Sequence, residues 1–117
     1  VTDPEPDTAL AAQYEATSGR IVDLQRQVRE LADEQALTTH DDEHDPEGVT
    51  IAYQRAQVQG LLAGARADLA AIGEARGRVR HGNYGTCTRC GGPIGALRLA
   101  ALPATSTCID CTGRTRR

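Results

Sequence analysis

The chain has no Phe, Trp, Met or Lys, and only three Tyr among its 117 residues. A compact domain of this length normally fills its interior with large apolar side chains, so their scarcity argues against a globule. Eighteen alanines supply much of the 39% hydrophobic content, and Ala favours helix while occupying little volume. An extended, mainly helical architecture with a thin apolar seam is expected. No apolar run approaches the roughly 20 residues that span a bilayer, and the opening VTDPEPD is acidic where a secretory signal would be basic and then apolar. These absences point to a cytoplasmic protein without a membrane segment. In that reducing compartment, cysteines paired at short spacing are read as metal ligands before disulfides.

Charge is unevenly spread. Residues 1–48 hold 13 acids against 3 Arg, whereas residues 49–117 hold 10 Arg against 3 acids, although the whole chain is only −3. Such polarity suits a partner with separate positive and negative surfaces, with solvated faces and intramolecular pairing as the plainer account. The use of Arg for every basic residue, beside abundant Ala and Gly, carries the imprint of a GC-rich coding sequence and says little about function.

Residues 1–7, with two prolines and three acids, read as a disordered leader, and a helix is expected to begin near Asp7 or Thr8. Leu10, Tyr14, Thr17, Ile21, Leu24, Val28, Leu31 and Gln35 then alternate steps of four and three, which keeps one stripe facing a partner helix. Ile51, Arg55, Val58, Leu62, Ala65, Leu69, Ile72, Arg76 and Val79 repeat the pattern. Residues 8–81 are therefore predicted to form an antiparallel two-helix coiled-coil hairpin about 45 Å long, with an acidic connection at residues 39–48. In that connection Asp45 reads as an N-cap, Pro46 as the first helical residue, and Glu47 as an acid at the positive end of the dipole. Gly82 reads as the left-handed residue closing the second helix, with His81 favourable at its C-terminal end. The seam is weak, because it contains polar residues and the second helix carries four interior glycines at about 1 kcal/mol each.

All four cysteines lie just beyond, in a segment spanning residues 82–117. Cys87 and Cys90 form one C-x-x-C, Cys108 and Cys111 a second, with 17 residues between them. Two residues between ligands let both thiolates reach one ion around a tight turn, and two such turns complete the tetrahedron that zinc prefers. A redox dithiol would need a single C-x-x-C in a βαβ context; iron–sulfur ligation is the other competing reading. Four thiolates leave no open coordination position, so one structural Zn2+ is expected, taking the place of a core. Tyr84, Ile94, Leu97, Leu99, Leu102 and Ile109 are expected to gather around it as a small apolar cluster.

The wider stretch YGTCTRCGGPIGALRLAALPATSTCIDC strongly resembles the zinc-finger segment of the DksA/TraR family of bacterial transcription regulators. The resemblance rests on Tyr84, Gly85, Cys87, Cys90, Gly91, Ile94, Arg98, Leu99, Ala101, Pro103, Cys108 and Cys111 at that family's spacing, about 28 residues in all. It implies a monomeric regulator that binds RNA polymerase directly, without sequence-specific DNA contacts, and inserts the hairpin tip into the secondary channel. By the same resemblance Asp42, Asp45 and Glu47 would act near the catalytic magnesium, and Arg98 is a candidate partner contact. The tip matches the family's Asp-x-x-Asp-x-Ala pattern only in part: DPEGVT from Asp45, or DEHDPE from Asp42. A capping role for Asp45 therefore stands beside the functional one. The basic places through which some members sense the nucleotide ppGpp fall on Leu102, Thr112 and about Ala71, none of them basic, so that site is not expected in the same form.

His40 and His44 stand four apart among acids, and polar loop composition accounts for them more simply than a second metal site. No nucleophile with a positioned base and no phosphate loop is present, and no enzymatic activity is expected. The alternative to polymerase binding is a zinc-stabilised adaptor that binds another protein or, through its arginine tail TGRTRR, nucleic acid.

Overall fold

The computed structural model describes residues 4–38 and 46–114. In chain order it contains α1 (Pro4–Thr38), α2 (Pro46–His81), α3 (Ala96–Ala101) and α4 (Ile109–Arg114). No strand occurs among the described residues; the only pairing is an isolated antiparallel bridge between Thr86 and Pro93. The fold is the mainly α one expected, two long helices in antiparallel contact followed by a small cysteine-bearing lobe. It divides into two compact units, residues 16–68 and residues 1–15 with 69–117.

Within residues 16–68, the heptad stripes face each other as their period dictates. Ile21, Leu24, Ile51, Leu62 and Ala65 are buried. Thr17, Val28, Leu31, Gln35, Arg55 and Val58 are half-buried. The apolar seam is interrupted by one polar layer, where Arg55 Nη1 donates to Gln35 Oε1 at 3.3 Å. Arg55 Nε, buried beside it, has no hydrogen-bond partner. An orphaned buried donor costs more than a typical hydrogen bond returns, so this layer weakens the seam. The ion pairs of Arg26 with Asp23 and Glu30, at 3.4 and 3.9 Å, are exposed and add little.

In the other unit the first turns of α1 lie against the last turns of α2. Leu10, Ile72 and Ala75 form a buried cluster, flanked by Tyr14, Val79, Tyr84 and Ala104. Seam position Arg76 is accommodated by placing its guanidinium over the Tyr14 ring, 5.5 Å from the centroid, a cation–π contact. Ala75 lies beside the heptad stripe and is fully buried, because its small side chain permits close helix approach.

Helix α1 starts at Pro4, one turn before the expected start near Asp7. Both Pro4 and Pro6 fall in the first turn, where no backbone N–H finds an intrahelical acceptor and proline sacrifices nothing. Residues 1–3 of the expected leader lie outside the described residues. Helix α2 starts at Pro46 as expected. Its proposed cap, Asp45, lies outside the described residues, as do His40, Asp42 and His44.

Candidate metal centre

The lobe is launched by the C-terminus of α2. Gly82 takes φ 78°, which an L side chain would resist, and its N–H donates to Val79 O at 3.2 Å while Asn83 N–H donates to Arg78 O at 3.0 Å. This pair of bonds is a Schellman closure, which satisfies carbonyls the helix end would otherwise leave unpaired. His81 Nδ1 lies 2.7 Å from Gly77 O and satisfies another. The chain then turns to Tyr84, whose hydroxyl donates to Pro103 O at 2.8 Å and ties the start of the lobe to its middle. Arg78 adds a second tie, donating through Nη2 to Ala104 O and Thr105 O at 3.4 and 3.3 Å.

The first cysteine knuckle is a tight turn. Cys87 N–H donates to Gly92 O at 2.8 Å, and Gly91 N–H returns to Cys87 O at 2.9 Å. Gly91 takes φ 76°, the left-handed conformation that lets the backbone reverse over the ligands. Gly92 N–H points at Cys90 Sγ, 3.4 Å away. The second knuckle spans the first turn of α4, where Thr112 N–H donates to Cys108 O at 3.0 Å. Thr88 joins the two knuckles, with N–H and Oγ1 both donating to Ser106 O at 2.9 and 3.1 Å.

These turns bring the four sulfurs within 4.8 Å of one another. Cys90 Sγ and Cys108 Sγ are 3.8 Å apart. A tetrahedron with Zn–S bonds of about 2.3 Å has sulfur–sulfur edges of about 3.8 Å, so the donor set fits zinc in element, number and size. Cys87 and Cys111 are buried, Cys108 is half-buried and Cys90 faces solvent.

Electrostatics argue for a cation at the same place. The backbone N–H groups of Cys108, then Cys90, lower the Cys87 thiol to about 6. The Cys111 thiol is raised to about 12, first by its hydrogen bond with the Cys108 sulfur and then by burial. Backbone dipoles can thus support one thiolate but not four at such separations. A divalent ion removes the conflict by drawing the protons off and neutralising the charge that remains. With four sulfurs the shell is closed, and the site is a structural one for a single zinc ion.

Packing around the sulfurs differs from the expected apolar cluster. Ile94 is buried with Cys87 and Cys111, and Leu99 and Cys108 lie against them. Tyr84 joins the Leu10 cluster instead. Leu97, Leu102 and Ile109 are exposed, at 89%, 51% and 70%. The reason is helical geometry. Leu97 is two residues from Leu99 on α3, and Ile109 two residues from Cys111 on α4, so each pair is separated by about 200° around its helix. Facing one member toward the sulfurs turns the other to water.

Arg98, expected as a partner contact, is engaged inside the lobe. Its Nε donates to Thr107 O and its Nη2 to Thr112 Oγ1, both at 3.0 Å, and Thr112 Oγ1 lies 2.6 Å from Thr107 Oγ1. This network fastens α3 to the second knuckle. Of the places corresponding to the ppGpp contacts, Leu102 is exposed, and Thr112 and Ala71 are half-buried. Glu47 is exposed in the first turn of α2. Sequence reasoning missed the tie made by Arg78, whose position on α2 carries no local signal of a carbonyl acceptor 26 residues away.

Residues 82–117 match the family model of the prokaryotic dksA/traR C4-type zinc finger. The whole chain is similar to the solved structure of transcription factor DksA2 from Pseudomonas aeruginosa, with a TM-score of 0.76 and 26% identity, over 95% of this chain and 80% of that one. The chain belongs to the DksA/TraR family. No curated protein sequence matches it. The residues that carry the DksA/TraR finger pattern now have physical roles. Tyr84 and Pro103 are hydrogen-bonded to each other, Ile94 and Leu99 line the metal, and Arg98 holds the second knuckle in place.

Proposed function

We propose that this chain is a monomeric, cytoplasmic transcription regulator that binds RNA polymerase directly and inserts the connection between α1 and α2 into the secondary channel. One observation carries the reading: the likeness to the transcription factor DksA2 runs over 95% of the chain, so that the helical hairpin and the C4 finger occur together. In this reading zinc does no chemistry. It fixes the lobe that the Schellman closure, Tyr84 and Arg78 join to α2. The acids Asp42, Asp45 and Glu47 act at the polymerase active site and alter initiation, and Arg98 serves the polymerase contact indirectly by holding the finger surface in shape. The surplus of acid in residues 1–48 supports an anionic tip.

The test is co-purification of the zinc-loaded protein with core RNA polymerase, competed by another secondary-channel factor. Capture that is lost on competition supports the reading. Retention on nucleic acid with a steep salt dependence, and none on polymerase, would overturn it in favour of a nucleic-acid-binding module. Replacing Asp42 and Asp45 with Asn should leave binding nearly intact while changing initiation in a purified system. Lost binding with a frayed α2 would reduce Asp45 to a cap.

A further inference from the structure

A chain without Phe, Trp or Met has few large apolar side chains to spare. The cysteine lobe nevertheless leaves three of them in water, Leu97, Leu102 and Ile109. They are not scattered. Together with Ile94, Ala96 and Ala101 they line one shallow groove of about 580 Å³ between α3 and α4. Each large aliphatic side chain kept from burial forgoes roughly 1.5–3 kcal/mol, and a contiguous apolar patch on a small lobe is characteristic of an interaction surface.

The charge around the groove selects its occupant. Arg98 lines it, and residues 82–114 carry Arg89, Arg98 and Arg114 against Asp110 alone. A second copy of the lobe would bring like charges together, which disfavours self-pairing. We infer that the groove docks an acidic, aliphatic-bearing helical segment of a partner protein, which, resting on the function proposed above, is a segment of RNA polymerase. Apolar side chains of that segment enter between Leu97, Leu102 and Ile109, and its acids meet the arginine field. Leu97 is the principal anchor, because it is the most exposed of the three and lies on the outer face of α3. This contact is separate from the tip, and would hold the regulator on the polymerase whatever the tip acids do.

The test is affinity for core RNA polymerase, measured with zinc-loaded wild type and with Leu97→Ser, Leu97→Glu and Leu97→Arg. Leu97 touches no metal ligand's inner face, so each variant should keep one zinc per chain and an unchanged far-UV spectrum. Leu97→Ser is expected to lose about tenfold in affinity, and Leu97→Glu about a hundredfold through added repulsion, with Leu97→Arg less impaired than Leu97→Glu. If wild type binds and all three variants bind within about twofold of it, the groove is not a docking site although the proposed function stands. If Leu97→Glu binds as well as Leu97→Arg, the partner is not acidic. Concentration-dependent self-association that Leu97→Ser abolishes would make a second copy the occupant and overturn the inference. If wild type itself does not bind polymerase, the proposed function and this inference fall together.

Discussion

Chelating the zinc under reducing conditions is expected to unfold the cysteine lobe while leaving most of the helix intact. Around the sulfurs the lobe buries only Ile94, with Leu99 partly covered, and each contributes about 1.5–3 kcal/mol at most. A structural zinc contributes about 10–16 kcal/mol in comparable small sites, several times as much. Without it, four sulfurs within 4.8 Å face one another with a Cys111 thiol that holds its proton up to about 12. The loss should be local. Helices α3 and α4 have 6 residues each against 35 and 36 in α1 and α2, so ellipticity should fall by only about a seventh. Hydrogen exchange gives the sharper assay. The Ile94 amide, bonded to Gly85 O at 2.9 Å, and the Leu99 amide, bonded to Gly95 O at 3.1 Å, should lose protection, while Leu24 and Leu62 in the other unit keep theirs. An Ile94 amide that stays protected in the metal-free protein would refute the view that the ion replaces a core.

Three further outcomes follow from side chains with defined partners. Arg98→Ala removes two half-buried charge-assisted hydrogen bonds and should destabilise the finger by about 1–3 kcal/mol, read as faster zinc release to a chelator; Arg98→Lys should not rescue it, since an ammonium cannot span Thr107 O and Thr112 Oγ1 as the guanidinium fork does. In the hairpin, Gln35→Ala should lower the melting temperature by stranding Arg55, whereas the double change Gln35→Leu with Arg55→Leu should match or exceed wild type by about 1 kcal/mol, because it removes the orphaned Nε. The Tyr84 phenol is raised above its ordinary 10.0 by burial, opposed by the Arg78 charge, so the neutral form is favoured in the fold. The stability it lends is complete below pH 10.0 and lost as the pH rises through its folded value; a late step in phenolate absorbance should disappear in Tyr84→Phe.

The two long helices and the metal set were legible in the amino-acid order. Every residue of both heptad stripes, from Leu10 to Gln35 and from Ile51 to Val79, is buried or half-buried. Such a stripe is encoded by spacing alone, because positions three and four apart share a helix face whatever else the chain does. The C-x-x-C pairs are equally local, and their sulfurs meet as their spacing predicts. Tertiary structure decided the rest. Which of Ile94, Leu97, Leu99, Leu102 and Ile109 would cover the metal depends on how two helices of six residues are rotated, and those are too short to carry a periodic signal. Arg98 and Arg78 look like surface charge in the sequence. Their carbonyl acceptors lie 9 to 27 residues away, and only the folded lobe brings those oxygens within reach.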